Sequence, residues 1–301
     1  MLPDVSPSGP LRLLTDDLPR FWAAFGHLDD TETVAAFDEL YFQPGTAGLR
    51  AFVRLRIESA AALVEHVRSR RDYYASVRAA TLALDTSASS FQPAAQRAAQ
   101  ALAALYPGAV FPNITFLIGR MSTGGTTSDA GVLIGTELFV RGPDTPIHEL
   151  NAWELAVTQP LAILPFIIAH EPVHVQQPDA VSQTLLAQCL RKGAAAYLGE
   201  VIPGGVINPD IHVYGRAHEA ELWSRFDAGK AGDSWASWLY QGVKAQGEPA
   251  DLGYFIGAQI CRAYLERAVD QRQGVDDLIN RAVFDPEGFL QDSQYGLAFR
   301  P

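Results

Sequence analysis

The sequence predicts an α+β protein that is predominantly helical and contains one small sheet. Apolar residues recur at helical spacing from about residue 15 to residue 107. Two stretches rich in β-branched and aromatic residues follow, at residues 110–119 and 131–140, and further helical patterns occupy the remainder. The composition fits a globular protein with a sizeable core, because 48% of the 301 residues are hydrophobic and 19% are charged.

The N-terminal portion, residues 1–107, is expected to consist of helices behind a Pro- and Ser-rich tail at residues 1–10. Thr15, followed by two aspartates, has the side chain of an N-cap residue. Thr31 or Thr33 is expected to open the second helix. Later helices are predicted at residues 49–57, 60–69, 70–84 and 92–106. The aromatic residues of this portion are interpreted as core, because they recur at helical spacing.

The second portion, residues 108–301, is expected to pack with the first as one compact unit. Its two strands predict a hairpin or two neighbouring strands, joined by a Gly-, Ser- and Thr-rich loop at residues 120–129. Helices are predicted at residues 149–158, 161–177, 180–201 and 252–269, with short helices at 275–283 and 286–291.

Charge and composition exclude several kinds of partner. A net charge of −11 argues against a nucleic-acid-binding surface. The longest apolar run is too short to cross a bilayer, so no transmembrane segment is expected. The N-terminus has neither the basic nor the apolar region of a secretion signal, which leaves open a cytoplasmic protein or one that has lost a leader. Cys189 and Cys261 are interpreted as core residues, with a single disulfide as the lesser alternative.

The pattern His-Glu-x-x-His at His170, Glu171 and His174 carries the most specific chemistry in the chain. Positions four apart lie on one face of a helix, so both imidazoles can bind one metal ion. A carboxylate beside them can take a proton from metal-bound water as a general base. The motif therefore predicts a zinc site and a peptide-hydrolysing centre. Pro172 lies inside the motif and is expected to kink or loosen the helix, at a cost of about 3 kcal/mol.

Four segments share their order and spacing with a known family. They are Arg120-Met121-Ser122-Thr123-Gly124-Gly125-Thr126, the His-Glu-x-x-His motif, Lys192-Gly193-Ala194-Ala195-Ala196 and Gly253-Tyr254-Phe255-Ile256-Gly257. Together they resemble a bacterial family of predicted zinc-dependent proteases, which is gluzincin-like and related to the gliding-motility lipoprotein B-type proteins. The resemblance covers most of the chain and implies a zincin-like metallopeptidase fold, a Zn²⁺ cofactor and a peptide or protein substrate. It also implies a location in the periplasm or cell envelope.

The chain departs from the family pattern at the third metal ligand. The resemblance places a ligand glutamate at the position of Lys192 and an acidic residue at the position of Ala196. Glu200 lies about 12 Å further along the same helix, which is too far to substitute. His218, Glu219 and Glu221 are candidate replacement ligands, and Glu219 is the one predicted. Tyr214, His218 and Tyr254 are candidates to stabilise the reacting carbonyl oxygen, and His218 and Tyr254 are the ones predicted.

Two functions follow from these residues. One is a zinc-dependent peptidase with His170 and His174 as ligands and Glu171 as general base. The other is a degenerate, metal-free zincin in which Lys192 takes the place of the metal and pairs with Glu171. Such a protein would bind a peptide or protein segment without hydrolysing it.

Overall fold

A small mixed sheet lies at the centre of the N-terminal half of the chain. The computed structural model describes residues 11–180, 182–207, 209–241 and 244–299, with the side chains of residues 86–90 outside that description. The predicted tail at residues 1–10 therefore lies outside the described residues. The four strands are β1 (Leu13–Leu14), β2 (Ile114–Leu117), β3 (Gly125–Ser128) and β4 (Gly131–Gly135).

The strand order is β1-β2-β4-β3. β1 and β4 each pair in parallel with β2, and β3 pairs antiparallel with β4. Every residue of β2 and β4 is buried, whereas β3 is a partly exposed edge strand. The two predicted strands are thus parallel neighbours. The hairpin is formed by β3, which lies within the predicted loop.

Helices flank this sheet in sequence and account for most of the chain, which confirms the predicted α+β, mainly helical class. Those that begin before β2 are α1 (Asp17–Phe25), α2 (Thr33–Phe37), α3 (Ala47–Phe52), α4 (Ala60–Arg68) and α5 (Arg71–Leu105), with π-helical turns at Asp38–Phe42 and Val53–Ile57. The aromatic residues of this region form a core, as predicted. The ring of Phe21 contacts those of Trp22, Phe37, Tyr41 and Tyr74.

The predicted break between residues 84 and 92 is wrong, because α5 runs without interruption through Pro93. A proline inside a helix removes one backbone donor and costs about 3 kcal/mol. Buried residues on both sides of it, including Leu84, Ala95 and Leu102, supply packing energy that favours the continuous helix.

The chain forms two compact units. The first comprises the described residues of Met1–Arg97 and Val110–Ile168, and the second those of Ala98–Ala109 and Ala169–Pro301. This grouping differs from the predicted division at residue 107, because β2 pairs with the N-terminal strand β1 and β4 pairs with β2. The catalytic role assigned to residues 108–301 stays a prediction.

The later helices match most of the predicted positions. They are α6 (Ala152–Val157), α7 (Leu164–Gln176), α8 (Leu185–Val201), α9 (Pro209–Ala217), α10 (Glu219–Gly229), α11 (Gly253–Arg267), α12 (Gln271–Asp276), α13 (Ala282–Phe284) and α14 (Pro286–Ser293). Short 3₁₀ helices occur at Thr136–Phe139, Leu161–Ile163 and Tyr295–Phe299, and a π-helical turn at Asp277–Arg281. In the part of the chain that the structure describes, no helix is both long and apolar enough to cross a bilayer.

The helices α8 and α11 are in backbone contact in the second unit. A Cβ atom on Gly257 would lie 1.9 Å from the carbonyl oxygen of Cys189, and one on Gly193 would lie 2.1 Å from the carbonyl carbon of Gly257. Only glycine fits at such a crossing. Cys189 and Cys261 are buried and free, as expected of core residues. The crossing places two of the segments that carry the family resemblance side by side.

Candidate functional site

Helix α7 brings His170 and His174 together, as the spacing predicts. Their ring centroids lie 4.9 Å apart, with the planes at 84°. His170 and Glu171 are each only 8% exposed. The α-helix continues through Pro172, so the expected loosening does not interrupt it. Two imidazoles and a carboxylate thus occupy adjacent turns of one buried helix.

The part of α7 from His170 onward lies against α8, with the two helices running in opposite directions. A Cβ atom on Gly199 would lie 2.8 Å from the Cα of His170. About two turns later, directly after the end of α7, the side-chain nitrogen of Gln177 donates a hydrogen bond to the carbonyl of Arg191, 2.8 Å away. Residue numbers therefore decrease along α8 as they increase along α7. This register places Lys192 beside the His174 end of the histidine pair.

Gln177 fixes the tautomer of His174. Its amide nitrogen is committed to the Arg191 carbonyl, so its oxygen faces the His174 ring and accepts a hydrogen bond from Nδ1 at 2.7 Å. The proton of neutral His174 is then on Nδ1, and the lone pair is on Nε2. That arrangement is typical of metal-binding histidines, in which a neighbouring group holds the other nitrogen.

Both histidines keep a buried nitrogen without a hydrogen-bond partner. These atoms are Nδ1 of His170 and Nε2 of His174. Burial, followed by the charge of Lys192, lowers the pKa of His170 to about 3, and a hydrogen bond to the backbone of Ala195 opposes this shift. Burial and Lys192 also hold the pKa of His174 well below its ordinary value. Both rings are therefore neutral at physiological pH.

Lys192 lies between two tyrosine rings at this site. Its ammonium nitrogen is 5.5 Å from the ring centre of Tyr240 and 6.0 Å from that of Tyr254. Burial holds the pKa of Tyr254 well above its ordinary value, and the carboxylates of Asp251 and Glu171 act in the same direction. Tyr254 is thus a neutral phenol within electrostatic range of Glu171, and its catalytic role stays a prediction.

The loop that carries Tyr240 is closed by two reciprocal contacts. The backbone N–H of Gln241 donates to the Asp251 carboxylate at 3.0 Å, and the backbone N–H of Asp251 donates to the Gln241 side chain at 2.8 Å. Tyr240 and Asp251 both have positive φ, at 58° and 63°. Sequence analysis identified neither this loop nor Gln177. Gln177 had a signal, because it follows His174 by three residues on the same helical face, whereas the loop had none.

Two predicted site residues, Glu219 and His218, make contacts of their own. Glu219 accepts a hydrogen bond from the hydroxyl of Tyr295 at 2.6 Å. Nδ1 of His218 donates a hydrogen bond to the carbonyl of Tyr214 at 2.9 Å, and the two ring centroids lie 4.1 Å apart in a stacked arrangement. Their roles as third ligand and as oxyanion stabiliser stay predictions, without a contact that supports them.

Glu200 belongs to a separate buried pair. Its carboxylate is 2.9 Å from Nε2 of His212 and accepts the backbone N–H of Ile207 at 3.0 Å. Both residues are 7% exposed. The expectation that Glu200 is not the third ligand agrees with these contacts.

The residues present do not complete a zinc site at His170 and His174. Zinc in proteins has at least three protein ligands. Among the described residues, no histidine, cysteine or carboxylate atom joins those of the two histidines to form a group of three within 4.8 Å of one another. Such a group occurs in the first unit instead, on the partly exposed surface, at Asp72, His148 and Glu149.

No family model matches the chain, and neither does any curated protein or solved structure. The resemblance to predicted zinc-dependent proteases therefore rests on the quoted residues alone and stays a prediction.

Proposed function

We propose that this chain is a metal-free, zincin-like protein. In this proposal the pocket around His170, Glu171 and His174 binds a peptide or protein segment without hydrolysing it. The observation that carries the proposal is the position of Lys192 on α8, because its positive charge acts on both histidines. In a zinc site of this kind, α8 would have to supply the third ligand.

Electrostatic magnitudes favour the lysine over a metal ion. A dication about 5 Å from an ammonium group is opposed by roughly 6–7 kcal/mol at an effective dielectric constant of 20. Structural zinc sites with a full set of ligands bind with about 10–16 kcal/mol. Two neutral imidazoles supply only part of that binding energy, and the repulsion from Lys192 offsets most of the part that they supply.

The groups around Lys192 suit an uncharged or acidic peptide segment. The ammonium group can donate up to three hydrogen bonds to a bound segment, and the two imidazole nitrogens without partners can accept hydrogen bonds from it. Tyr240, which is 57% exposed, adds an aromatic surface beside the ammonium group. This combination of donors, acceptors and an exposed ring supports binding of a peptide backbone and one side chain.

Zinc titration by calorimetry, with metal analysis of the purified protein, tests the proposal. Wild-type protein is expected to bind no zinc at these histidines, and Lys192→Glu is expected to gain affinity by at least tenfold, because the charge reverses and a carboxylate ligand is supplied. Lys192→Gln is the matched control, because it removes the charge without adding a ligand. Adding His174→Gln to Lys192→Glu should abolish the gain. About one zinc per wild-type chain, lost on His174→Gln, would overturn the metal-free proposal.

A zinc-dependent peptidase is the second candidate. The two buried nitrogens without partners, one of them in the tautomer that Gln177 fixes, favour it. Proteolysis of an unfolded protein substrate by wild type, lost in Glu171→Gln at unchanged metal content, would establish this candidate. Equal activity of the two proteins would exclude it.

A further inference from the structure

Glu137 is a fully buried carboxyl group in the first unit, and nothing above assigns it a role. It lies in the 3₁₀ helix after β4 and is 0% exposed. One carboxyl oxygen, Oε1, accepts the backbone N–H of Met121 at 3.0 Å. The other, Oε2, is buried and has no hydrogen-bond partner.

The carboxyl group holds the loop that follows β2. This loop, residues 119–124, contains Met121 in the left-handed conformation at φ 52°. A Cβ atom on Gly119 would lie 3.4 Å from Oε1, and one on Gly135 would lie 3.6 Å from both carboxyl oxygens. The backbone at Gly119 and Gly135 therefore lies close to the carboxyl group.

We propose that Glu137 is a proton-operated latch on residues 119–124, closed while the carboxyl group is protonated and released when the group ionises. The proposal concerns the first unit alone and does not depend on the function proposed for the histidine pocket.

The groups that face Glu137 do not compensate a negative charge. Burial raises the pKa of three nearby phenols, those of Tyr41, Tyr73 and Tyr74, and the negative charge of Glu137 adds to the shift of each. Their hydroxyl groups donate to backbone carbonyls, at Ile118, Glu137 and Gly119 respectively, and not to the carboxyl group.

Two cations on adjoining segments, Arg120 and Arg70, have ionic partners. Arg120 on the loop pairs with Glu58 at 2.6 Å, and Arg70 pairs with Glu154 at 2.7 Å. An ionised Glu137 would therefore be a buried charge stabilised only by backbone N–H groups, which is unfavourable relative to the neutral acid.

The direction of the switch follows from linkage. Burial raises the pKa of Glu137 from its ordinary value of 4.5 to about 7, against the opposing effect of backbone hydrogen bonds from Glu137, Gly119 and Met121. Opening the loop exposes the carboxyl group to water and returns its pKa toward 4.5. The closed loop thus binds the proton more tightly, and opening becomes more favourable as the pH rises between these two values, by roughly tenfold to a hundredfold.

Hydrogen exchange at pH 5 and pH 8, corrected for the intrinsic exchange rate, tests this latch. The amide of Met121 is expected to lose at least tenfold protection at the higher pH. The amide of Val132, bonded to the Asn113 carbonyl in the same sheet, is the internal control and should change little. Equal corrected protection of Met121 at both pH values in wild-type protein would overturn the proposal, and this measurement needs no variant.

Two variants locate the proton. Glu137→Gln, which cannot ionise, should make the protection of Met121 independent of pH. Glu200→Gln removes the charge of another buried glutamate, which lies in the second unit and pairs with His212, and should leave the pH dependence as it is in wild type. If Glu137→Gln retains the wild-type dependence, the titrating group is elsewhere and the latch is refuted.

Discussion

Two histidine arrangements in the second unit are buried to nearly the same extent at His212 and His170. They differ in whether their ring nitrogens have hydrogen-bond partners. His212 is 7% exposed and His170 is 8% exposed. His212 is paired with the Glu200 carboxylate at 2.9 Å. The His170–His174 pair keeps two buried nitrogens without partners, and its nearby cation is Lys192.

The difference separates a structural pair from a candidate site. A buried polar atom without a partner costs about 1–3 kcal/mol, so the arrangement at His170 and His174 is not one that stability favours. The Glu200–His212 pair contributes to the fold, and the two atoms that are hydrogen-bonded to each other are not available to a ligand. On burial alone, both histidine arrangements would be assigned to the core. Their hydrogen-bond partners distinguish them, because His212 has one and each ring of the His170–His174 pair keeps a nitrogen without one.

The largest expected effect comes from breaking the satisfied pair. Glu200→Ala should lower the free energy of unfolding by about 3–5 kcal/mol, because it leaves His212 and the N–H of Ile207 buried without a partner. His174→Gln, at a site that is already incompletely satisfied, should lower it by no more than about 1 kcal/mol. Urea unfolding of both variants measures the contrast. A larger loss for His174→Gln than for Glu200→Ala would reverse the comparison.

Acid should act next most strongly, through the neutral histidines. The folded-state pKa of His170 is about 3, below its ordinary 6.5, because of burial and Lys192. The unfolded chain therefore binds more protons between these values, and stability falls as the pH drops below about 6.5. We expect a loss of roughly 2–3 kcal/mol from this ring between pH 7 and pH 4.

The difference between wild type and His170→Gln isolates this contribution. Glu137 acts in the opposite direction over pH 4.5–7, because its folded-state pKa is raised, and subtracting the two unfolding profiles removes it. A difference profile that is flat from pH 7 to pH 4 would show that His170 is not held neutral by burial.

Local periodicity was sufficient to predict the proximity of the two histidines and the mainly helical class. A spacing of four residues fixes a shared helical face whatever the rest of the chain does. The continuity of α5 through Pro93 could not be predicted in this way, because packing of distant residues outweighs the local penalty of a proline.

Contacts between segments that are far apart in the chain could not be predicted from the sequence, for the same reason. The parallel pairing of β1 with β2 joins residues about one hundred positions apart. The position of Lys192 against the rings of Tyr240 and Tyr254 depends on the close crossing of α8 and α11 and on a loop with two positive φ values. Glu137 carried no local signal, because only its enclosure by the loop at residues 119–124 makes it unusual.

A smaller loss of stability than at Glu200 is expected at Gln177, which supports the candidate site without belonging to it. Gln177→Leu removes the acceptor for Nδ1 of His174 and the donor to the Arg191 carbonyl. The loss of stability should be about 1–2 kcal/mol. The more informative result is the tautomer of His174, because without Gln177 nothing selects the Nδ1–H form, and ¹⁵N NMR of the ring should report a mixture of both tautomers.

Gln177→Glu is the matched control for that measurement. It keeps an oxygen acceptor for Nδ1 and therefore the tautomer, but loses the donor to Arg191, and its negative charge should raise the pKa of His174. A single Nδ1–H tautomer in Gln177→Leu would mean that packing alone orients the ring. Since the Glu200–His212 pair lies elsewhere on α8, neither variant should alter the ring spectrum of His212, and a change there would show that the two arrangements are coupled.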